Sequence, residues 1–381
     1  MTRLLRKVLK AYREGRFKYL IKDPASKRIS LHCPDYVEPI KDKGELEIVE
    51  RIFQAFRRMK EDQKNAHETY LPSSMWQKHI DNDYSYFTSG LKTNDINRFH
   101  FFLANFGTWK TFHGIESTTL IRDNMKSFIN RRYLKNIVFN DRLKIWEWFY
   151  SYRRPISSLT YPTYGNQAGA YIDNKVFIGP GSFFNEIYGS FLSGLINDKE
   201  HPVLADLGGG YGKLAYFTLR NIDRFTFVDF DLPETLCLAA YYLMKVWPDK
   251  KTLLYGEEDY SSEKHDQYDL VFMPSYEICK VGRSSVDLFI NKNSLGEMTK
   301  EAVNNYIDYI AGSTRYFFHM NHDIYPNVYS NSECGLLGYE YPVPMDKFKL
   351  VFRYFDADHI LFQGGVNFNT DIFSYLYERK T

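Results

Sequence analysis

The chain has 381 residues, 44% of them hydrophobic, and a formal net charge of +2. That length suits two domains, or one domain with a large extension, around a sizeable core, and the near-neutral charge gives no reason to expect a nucleic-acid partner. No run of about 18 apolar residues and no signal-peptide core is present, and Cys33, Cys237, Cys279 and Cys334 are scattered without a CxxC pair, so neither a membrane span nor a zinc site is expected and a reducing, cytoplasmic setting is.

Residues 1–28 carry ten Lys and Arg against Glu14 and Asp23, with Leu4, Leu5, Val8, Leu9, Tyr12, Phe17 and Leu20 interleaved at near-helical spacing. This reads as a basic amphipathic helix, suited either to peripheral contact with the anionic inner face of a membrane or to packing on the body of the protein. Leu46, Val49, Ile52, Phe53, Phe56 and Met59 recur three and four apart, which puts them on one helix face, and Leu143–Tyr152 is a second aromatic helix. With no strand–helix alternation before it, the segment 1–160 is expected to be a helical domain or lid. Its 31 Tyr and 30 Phe across the whole chain suit either flat polar-rimmed ligands such as sugars or aromatic helix packing. A Pro- and Ser-rich stretch at 153–166 marks a boundary. Tyr164 and Asn166 there are candidate ligand contacts, or simply linker residues. A short hairpin and a helix over 183–195 follow.

From 202 onward strands alternate with helices, the mark of a doubly wound α/β sheet. Strands are expected at 203–207, 224–230, 252–255, 268–273 and 314–320, with a final antiparallel pair at 349–354 and 359–362. Helices are expected at 212–221, 233–246 and 294–310. The first strand runs into Asp206-Leu-Gly208-Gly-Gly210-Tyr-Gly212-Lys213. A phosphate loop would need Gly where Leu207 stands and a hydroxyl where Leu214 stands, and a dinucleotide loop would need Gly in place of Lys213. The spacing Gly208-x-Gly210-x-Gly212 after an acid resembles the first motif of class I S-adenosylmethionine-dependent methyltransferases.

In open α/β sheets ligands bind at the carboxyl ends of the strands. Asp231 lies 25 residues beyond Asp206, in Phe-Asp-Leu-Pro-Glu-Thr-Leu. It is placed either to hold ribose hydroxyls, with Asp229 as a second candidate, or to cap a helix. Phe-Asp-Leu-Pro after such a glycine loop is similar to the small-molecule O-methyltransferases, where the resemblance makes that Asp a ribose ligand. Asp229-Phe-Asp231 also reads as the Asp-x-Asp of a metal-dependent glycosyltransferase, which leaves the glycine loop unexplained. Glu257 and Asp259 are candidate acceptors for an adenine amine, and Pro274, Ser275, Tyr276 and Glu277 would lie near the reactive end.

Asn293-Ser294-Leu-Gly-Glu297-Met298, together with Asp231-Leu-Pro-Glu-Thr-Leu, resembles a bacterial family of sugar O-methyltransferases associated with surface-polysaccharide synthesis, over roughly residues 160–365. The resemblance implies a Rossmann-like class I sheet of seven strands with the last antiparallel, spanning 161–381. It implies S-adenosylmethionine as cofactor on Asp206, Gly208, Gly210, Gly212, Asp229 and Asp231. Its acceptor would be a free, nucleotide-linked or lipid-linked sugar near Asn293, Ser294 and Asn321. Physically, Ser294 and Glu297 also read as a capping box. A sugar hydroxyl is a weak nucleophile that a base assists. His322 at the end of the fifth strand is the candidate, oriented by Asp323 or by an acid from another loop, with Glu277 and Glu297 as rivals, whereas His319 points into the fold. A cofactor-binding module without catalysis is the remaining alternative. The loop 324–346, with Tyr325, Tyr329, Tyr339 and Tyr341, is a candidate acceptor wall.

Overall fold

The computed structural model describes residues 24–109, 113–115, 121–122, 125, 127–329, 333–356 and 371–380. Residues 1–23 of the basic segment and the strand expected at 359–362 lie outside the described residues. No described helix is long and apolar enough to cross a membrane. The chain forms two compact units that interleave along the sequence: Met1–Tyr36, Asn105–Ile187 and Asp356–Thr370 make one, and Val37–Ala104, Tyr188–Phe355 and Asp371–Thr381 the other. Residues 37–104, expected with the helical half that ends at 160, thus share a unit with the sheet.

The first unit contains an antiparallel sheet of β1 (Ile29–His32), β2 (Gly169–Ile172) and β3 (Val176–Ile178). Asp173 and Asn174 take positive φ in the β2–β3 turn, which these short polar side chains tolerate. The Arg28 guanidinium closes on Asp173 at 3.0 Å. Its helices include Phe128–Tyr133 and Arg142–Phe149, joined by a π-helical stretch. Buried Glu186 accepts from Trp146 Nε1 at 2.8 Å and pairs with Arg154 at 2.6 Å.

In the second unit four helices come first: α1 (Lys43–Asp62), α2 (Ser74–Asn82), α3 (Ser85–Thr93) and α4 (Ile96–Asn105). Asp42 caps α1 by accepting from Glu45 N–H at 2.8 Å. Of the periodic set, Val49, Ile52, Phe53, Phe56 and Met59 are buried, whereas Leu46 in the first turn is exposed. Phe56 and Phe99 each stack on Phe87 at 4.8 Å between ring centroids, so here the aromatic density is packing. Glu45 anchors α1. It is buried, accepts from Tyr241 Oη at 2.6 Å, lies 3.0 Å from His100 Nε2 and pairs with Lys245.

The main sheet has eight strands: β4 (Val203–Leu207), β5 (Thr226–Asp231), β6 (Thr252–Leu254), β7 (Leu270–Pro274), β8 (Val286–Lys292), β9 (Thr314–His322), β10 (Phe348–Phe355) and β11 (Ile372–Arg379). Their order is β10-β11-β9-β8-β4-β5-β7-β6. All neighbours from β6 to β9 pair in parallel, and β11 runs antiparallel to both β9 and β10. The helices α5 (Lys213–Leu219), α6 (Pro233–Val246) and α7 (Lys300–Ser313) make crossovers. This is the Rossmann-like class I methyltransferase sheet, with one late strand reversed.

Two expectations need correction, the strand count and the start of the last helix, and the order of the edge strands is new. There are eight strands rather than seven, because β8, which pairs directly with β4, has polar residues that mask it in the sequence. Asp287 accepts from Val203 N–H at 2.9 Å and Asn291 donates to Leu207 O at 2.7 Å, so hydrogen bonds rather than apolar character admit them to the sheet. The strand beside β5 is β7, and the three-residue β6 is pushed to the edge. The last helix starts at Lys300 rather than Ser294, capped by Thr299 accepting from Ala302 N–H at 3.2 Å.

Candidate functional site

The chain leaves the sheet to opposite sides around β4, so the exit of that strand is the switch point at which such sheets bind ligands. Gly208 donates to Phe230 O at 2.8 Å, which ties the loop to β5. It stands at φ +78°, and a Cβ there would come within 2.3 Å of Ser294 Oγ. Both constraints exclude any other residue. Gly210, at φ +62°, donates its N–H to Asp231 Oδ2 at 3.1 Å.

Three carboxylates lie beneath and beside this loop. Asp206 ends 2% exposed with Oδ1 unpartnered, and Asp229 is fully buried with neither oxygen hydrogen-bonded. Burial pushes both carboxyls well above the usual range, and the nearby Asp231 charge adds to it. Asp231 is buried too, which pushes it up to about 6, against hydrogen bonds from Thr235 and from the Leu232 and Gly210 N–H groups. Asp231 is not the cap of α6, because that place belongs to Leu232. It instead lies at the mouth of the glycine loop.

On the other side of β4 the polar groups satisfy one another. Asn291 donates to Leu207 O and accepts from Leu295 N–H at 3.2 Å and from Asn321 Nδ2 at 2.9 Å. Asn321 accepts from Gly296 N–H at 3.2 Å. Ser294 donates to Leu207 O at 2.8 Å and caps no helix. Asn321 and Ser294, read as acceptor contacts, are therefore bound up in holding the loop after β8. Asn293 differs: it sits at φ +58° with Oδ1 buried and unpartnered.

The helical segment α1–α2 is tethered to the loops at this edge. Arg51 pairs with Glu257 at 2.8 Å, and Glu257 also accepts from Leu254 N–H at 2.9 Å. Asp259 is exposed. Both acids follow the outermost strand, whereas Pro274 at the end of β7 pairs in register with Asp231. Pro274 and Ser275 are thus the better placed of the expected cofactor contacts. Lys60 reaches the buried Glu234 at 2.9 Å. Tyr276 Oη donates to Met59 O at 3.1 Å, and Glu277 pairs with Lys280 at 2.5 Å. Trp76 Nε1 on α2 donates to Glu297 Oε2 at 2.7 Å.

Glu297 and His322 are the two candidate bases left without a cation. Burial pushes the Glu297 carboxyl up to about 7, partly offset by the Trp76 hydrogen bond. His322 is the last residue of β9, its Nδ1 hydrogen-bonded to Asp371. Asp371 also accepts from Ile324 N–H at 2.9 Å and Tyr325 N–H at 2.8 Å. Burial alone would raise Asp371, yet these hydrogen bonds hold it below its usual range. The expected orienting group, Asp323, is engaged elsewhere, with Arg353 and with Tyr375 Oη at 2.8 Å. His319 is fully buried, stacked on Tyr375 at 4.6 Å and pushed down to about 3 by burial, as its place within the strand implied. In the loop 324–346, Tyr329 Oη donates to Met298 O at 2.5 Å and Tyr341 is buried with Oη unpartnered. Tyr164 and Asn166 belong to the first unit, where Asn166 donates to Asp35 O at 2.7 Å and Asn105 Oδ1 at 3.0 Å.

Sequence reasoning missed Trp76, Asn291 and Asp371. An Asn amid the apolar run of β8 was the one available signal, since a buried amide needs partners. Trp76 and Asp371 come from 221 and 49 residues away along the chain, a distance that no local pattern spans.

No family model matches the chain, and no curated protein matches it. Among solved structures it is similar to a mitomycin 7-O-methyltransferase, at 10% identity and a TM-score of 0.33 over 53% of this chain. That match spans 57% of the mitomycin enzyme, little more than half its length. A geranyl diphosphate C-methyltransferase from Streptomyces coelicolor A3(2) matches at 9% identity and a TM-score of 0.35, over 51% of this chain and 79% of that one. A magnesium protoporphyrin IX methyltransferase from Synechocystis PCC 6803 matches at 13% identity and a TM-score of 0.34, over 52% of this chain and 80% of that one. At such scores the likeness carries no argument. The fold rests on the strand order and the glycine loop.

Proposed function

We propose that the protein is an S-adenosylmethionine-dependent O-methyltransferase acting on a sugar hydroxyl, in the synthesis of a surface polysaccharide. The observation that carries the reading is the join between Gly210 N–H and Asp231 at the switch point of the sheet, which puts a buried carboxylate at the rim of a glycine turn. The residues fit the cofactor. Gly208, Gly210 and Gly212 all stand at positive φ, and Asp231 offers its carboxyl oxygens to ribose hydroxyls.

When bound, S-adenosylmethionine supplies a methyl group on a sulfonium leaving group. The part left to this chain would be to hold the acceptor hydroxyl and take its proton on a base. Two groups serve that proton: Glu297, held by Trp76, and His322, backed by Asp371. Glu277 is left out because Lys280 neutralises it. The sugar acceptor rests on the Asn293-to-Met298 and Asp231-to-Leu236 motifs and on Asn293, Tyr329 and Tyr341 around the loop after β8. Whether the acceptor is free, nucleotide-linked or lipid-linked, we assign it no nucleic-acid character and place the enzyme in the cytoplasm, with residues 1–28 as its route to a membrane surface.

The glycosyltransferase reading is weaker, since Asp229 lies wholly inside the sheet and offers no oxygen to a metal-bound nucleotide sugar. Calorimetry with S-adenosylmethionine and S-adenosylhomocysteine tests the reading: both are expected to bind, and the absence of binding by either rejects it. Binding without turnover over a broad sugar panel would favour a non-catalytic module.

A further inference from the structure

The loop after β8 carries its acidic residue in a setting unlike that of any other carboxylate at this edge. Asp206 and Asp229 have unpartnered oxygens, and Asp231 accepts from the glycine loop. Glu257 and Glu234 face Arg51 and Lys60. Glu297 alone in this set accepts from a neutral aromatic donor, the Trp76 indole. That donor is set by its own helix: Ser73 caps α2 by accepting from Trp76 N–H at 3.4 Å. The backbone around Glu297 is fixed from two further directions. Asn321 accepts from Gly296 N–H, Asn327 Nδ2 donates to Gly296 O at 3.0 Å, and Tyr329 Oη donates to Met298 O at 2.5 Å. A carboxylate held by one neutral hydrogen bond keeps its basicity, whereas a Lys or Arg partner would remove it.

We infer that Trp76 is the positioning residue of this site, its indole N–H aiming the Glu297 carboxylate as the proton acceptor for the hydroxyl that is methylated. The inference rests on the proposed function and goes beyond it in choosing Glu297 over His322 and in giving α2 a role in the chemistry. The titratable groups facing the Trp76–Glu297 pair are Asp231 at the end of β5, whose charge raises Glu297, Tyr329 and Tyr341 of the loop 324–346, each of which senses it, and His79 of α2, whose ring lies 5.9 Å from that of Trp76. Because His79 touches the Trp76 ring, the titration is read in an H79Q background; none of the other groups is a cation, so the charge that Glu297 meets on ligand binding comes from the ligand.

The test uses the full H79Q chain carrying 5-fluorotryptophan, with the Trp76 ¹⁹F resonance assigned by its loss in W76F. That resonance is expected to titrate near neutral pH and to stop titrating in E297Q. Saturating S-adenosylmethionine, but not S-adenosylhomocysteine, is expected to lower the midpoint by about one pH unit, because only the first carries a sulfonium charge beside the carboxylate. A Trp76 resonance that does not titrate between about pH 5 and 9, or that titrates unchanged in E297Q, overturns the inference. Calorimetric binding of both ligands with no difference between their midpoints also overturns it while leaving the cofactor reading intact. Failure of both to bind rejects that reading and the inference with it. Should E297Q not fold, the ligand-dependent difference in the chain that keeps Glu297 decides.

Discussion

The two flanks of β4 solve the burial of polar groups in opposite ways. Towards β8 and β9, Asn291, Ser294 and Asn321 exchange hydrogen bonds with one another and with the backbone. Towards β5, Asp206 and Asp229 keep oxygens with no partner. A buried polar group left unpaired costs about 1–3 kcal/mol, so the first flank stabilises the chain and the second weakens it. That contrast separates a satisfied amide network, which sets the loop after β8, from buried acids that carry unpartnered oxygens.

The comparison breaks first at Asn291. Asn291→Ala strands Leu295 N–H and Asn321 Nδ2, while Leu207 O keeps its bond from Ser294, and is expected to lower stability by about 2–3 kcal/mol in urea unfolding. Asp231→Ala should instead weaken S-adenosylmethionine binding about 10- to 100-fold by calorimetry, at about 1.4 kcal/mol per decade, with a smaller loss of stability, about 1 kcal/mol, from the Gly210 and Leu232 N–H groups it leaves unpaired. Asp229→Asn should raise stability at pH 7 by about 1–2 kcal/mol, since it removes a buried acid with no partner. Arg51→Ala, which breaks a half-exposed pair with Glu257, should change stability by no more than about 0.5 kcal/mol.

The pH dependence follows from the same acids. Burial raises Asp206, Asp229 and Asp231, so the folded chain holds their protons more tightly than the unfolded chain does. The stability they contribute is full below the unfolded carboxyl pKa of about 4 and is lost as pH rises through the folded values, about 6 for Asp231. Thermal unfolding across that window should show the loss, and Asp229→Asn should reduce it. Glu45 works the other way. Hydrogen bonds from His100, Lys245 and Tyr241 hold it down to about 2 against its burial, so its contribution is present above about pH 4 and is lost as pH falls towards 2.

Much of the sheet was legible because buried parallel strands announce themselves as apolar runs before turns. Val203–Leu207 and Pro233–Val246 form as read. β8 was hidden because Asp287 and Asn291 enter the sheet through hydrogen bonds, and the order of β6 and β7 is a tertiary matter that alternation leaves open. In the site, the glycine turn and Asp231 were readable from spacing. The partners of the candidate bases were not, because Asp371 reaches His322 across β9 and β11 and Trp76 reaches Glu297 from α2.

The central claim is that the glycine turn and Asp231 form one cofactor site. Titration calorimetry of the wild-type chain and of Asp231→Ala with S-adenosylhomocysteine tests it most directly. The account predicts one-site binding to the wild type, weakened at least about 10-fold in the variant. Equal affinity in the two chains, or no binding to the wild type, would contradict it.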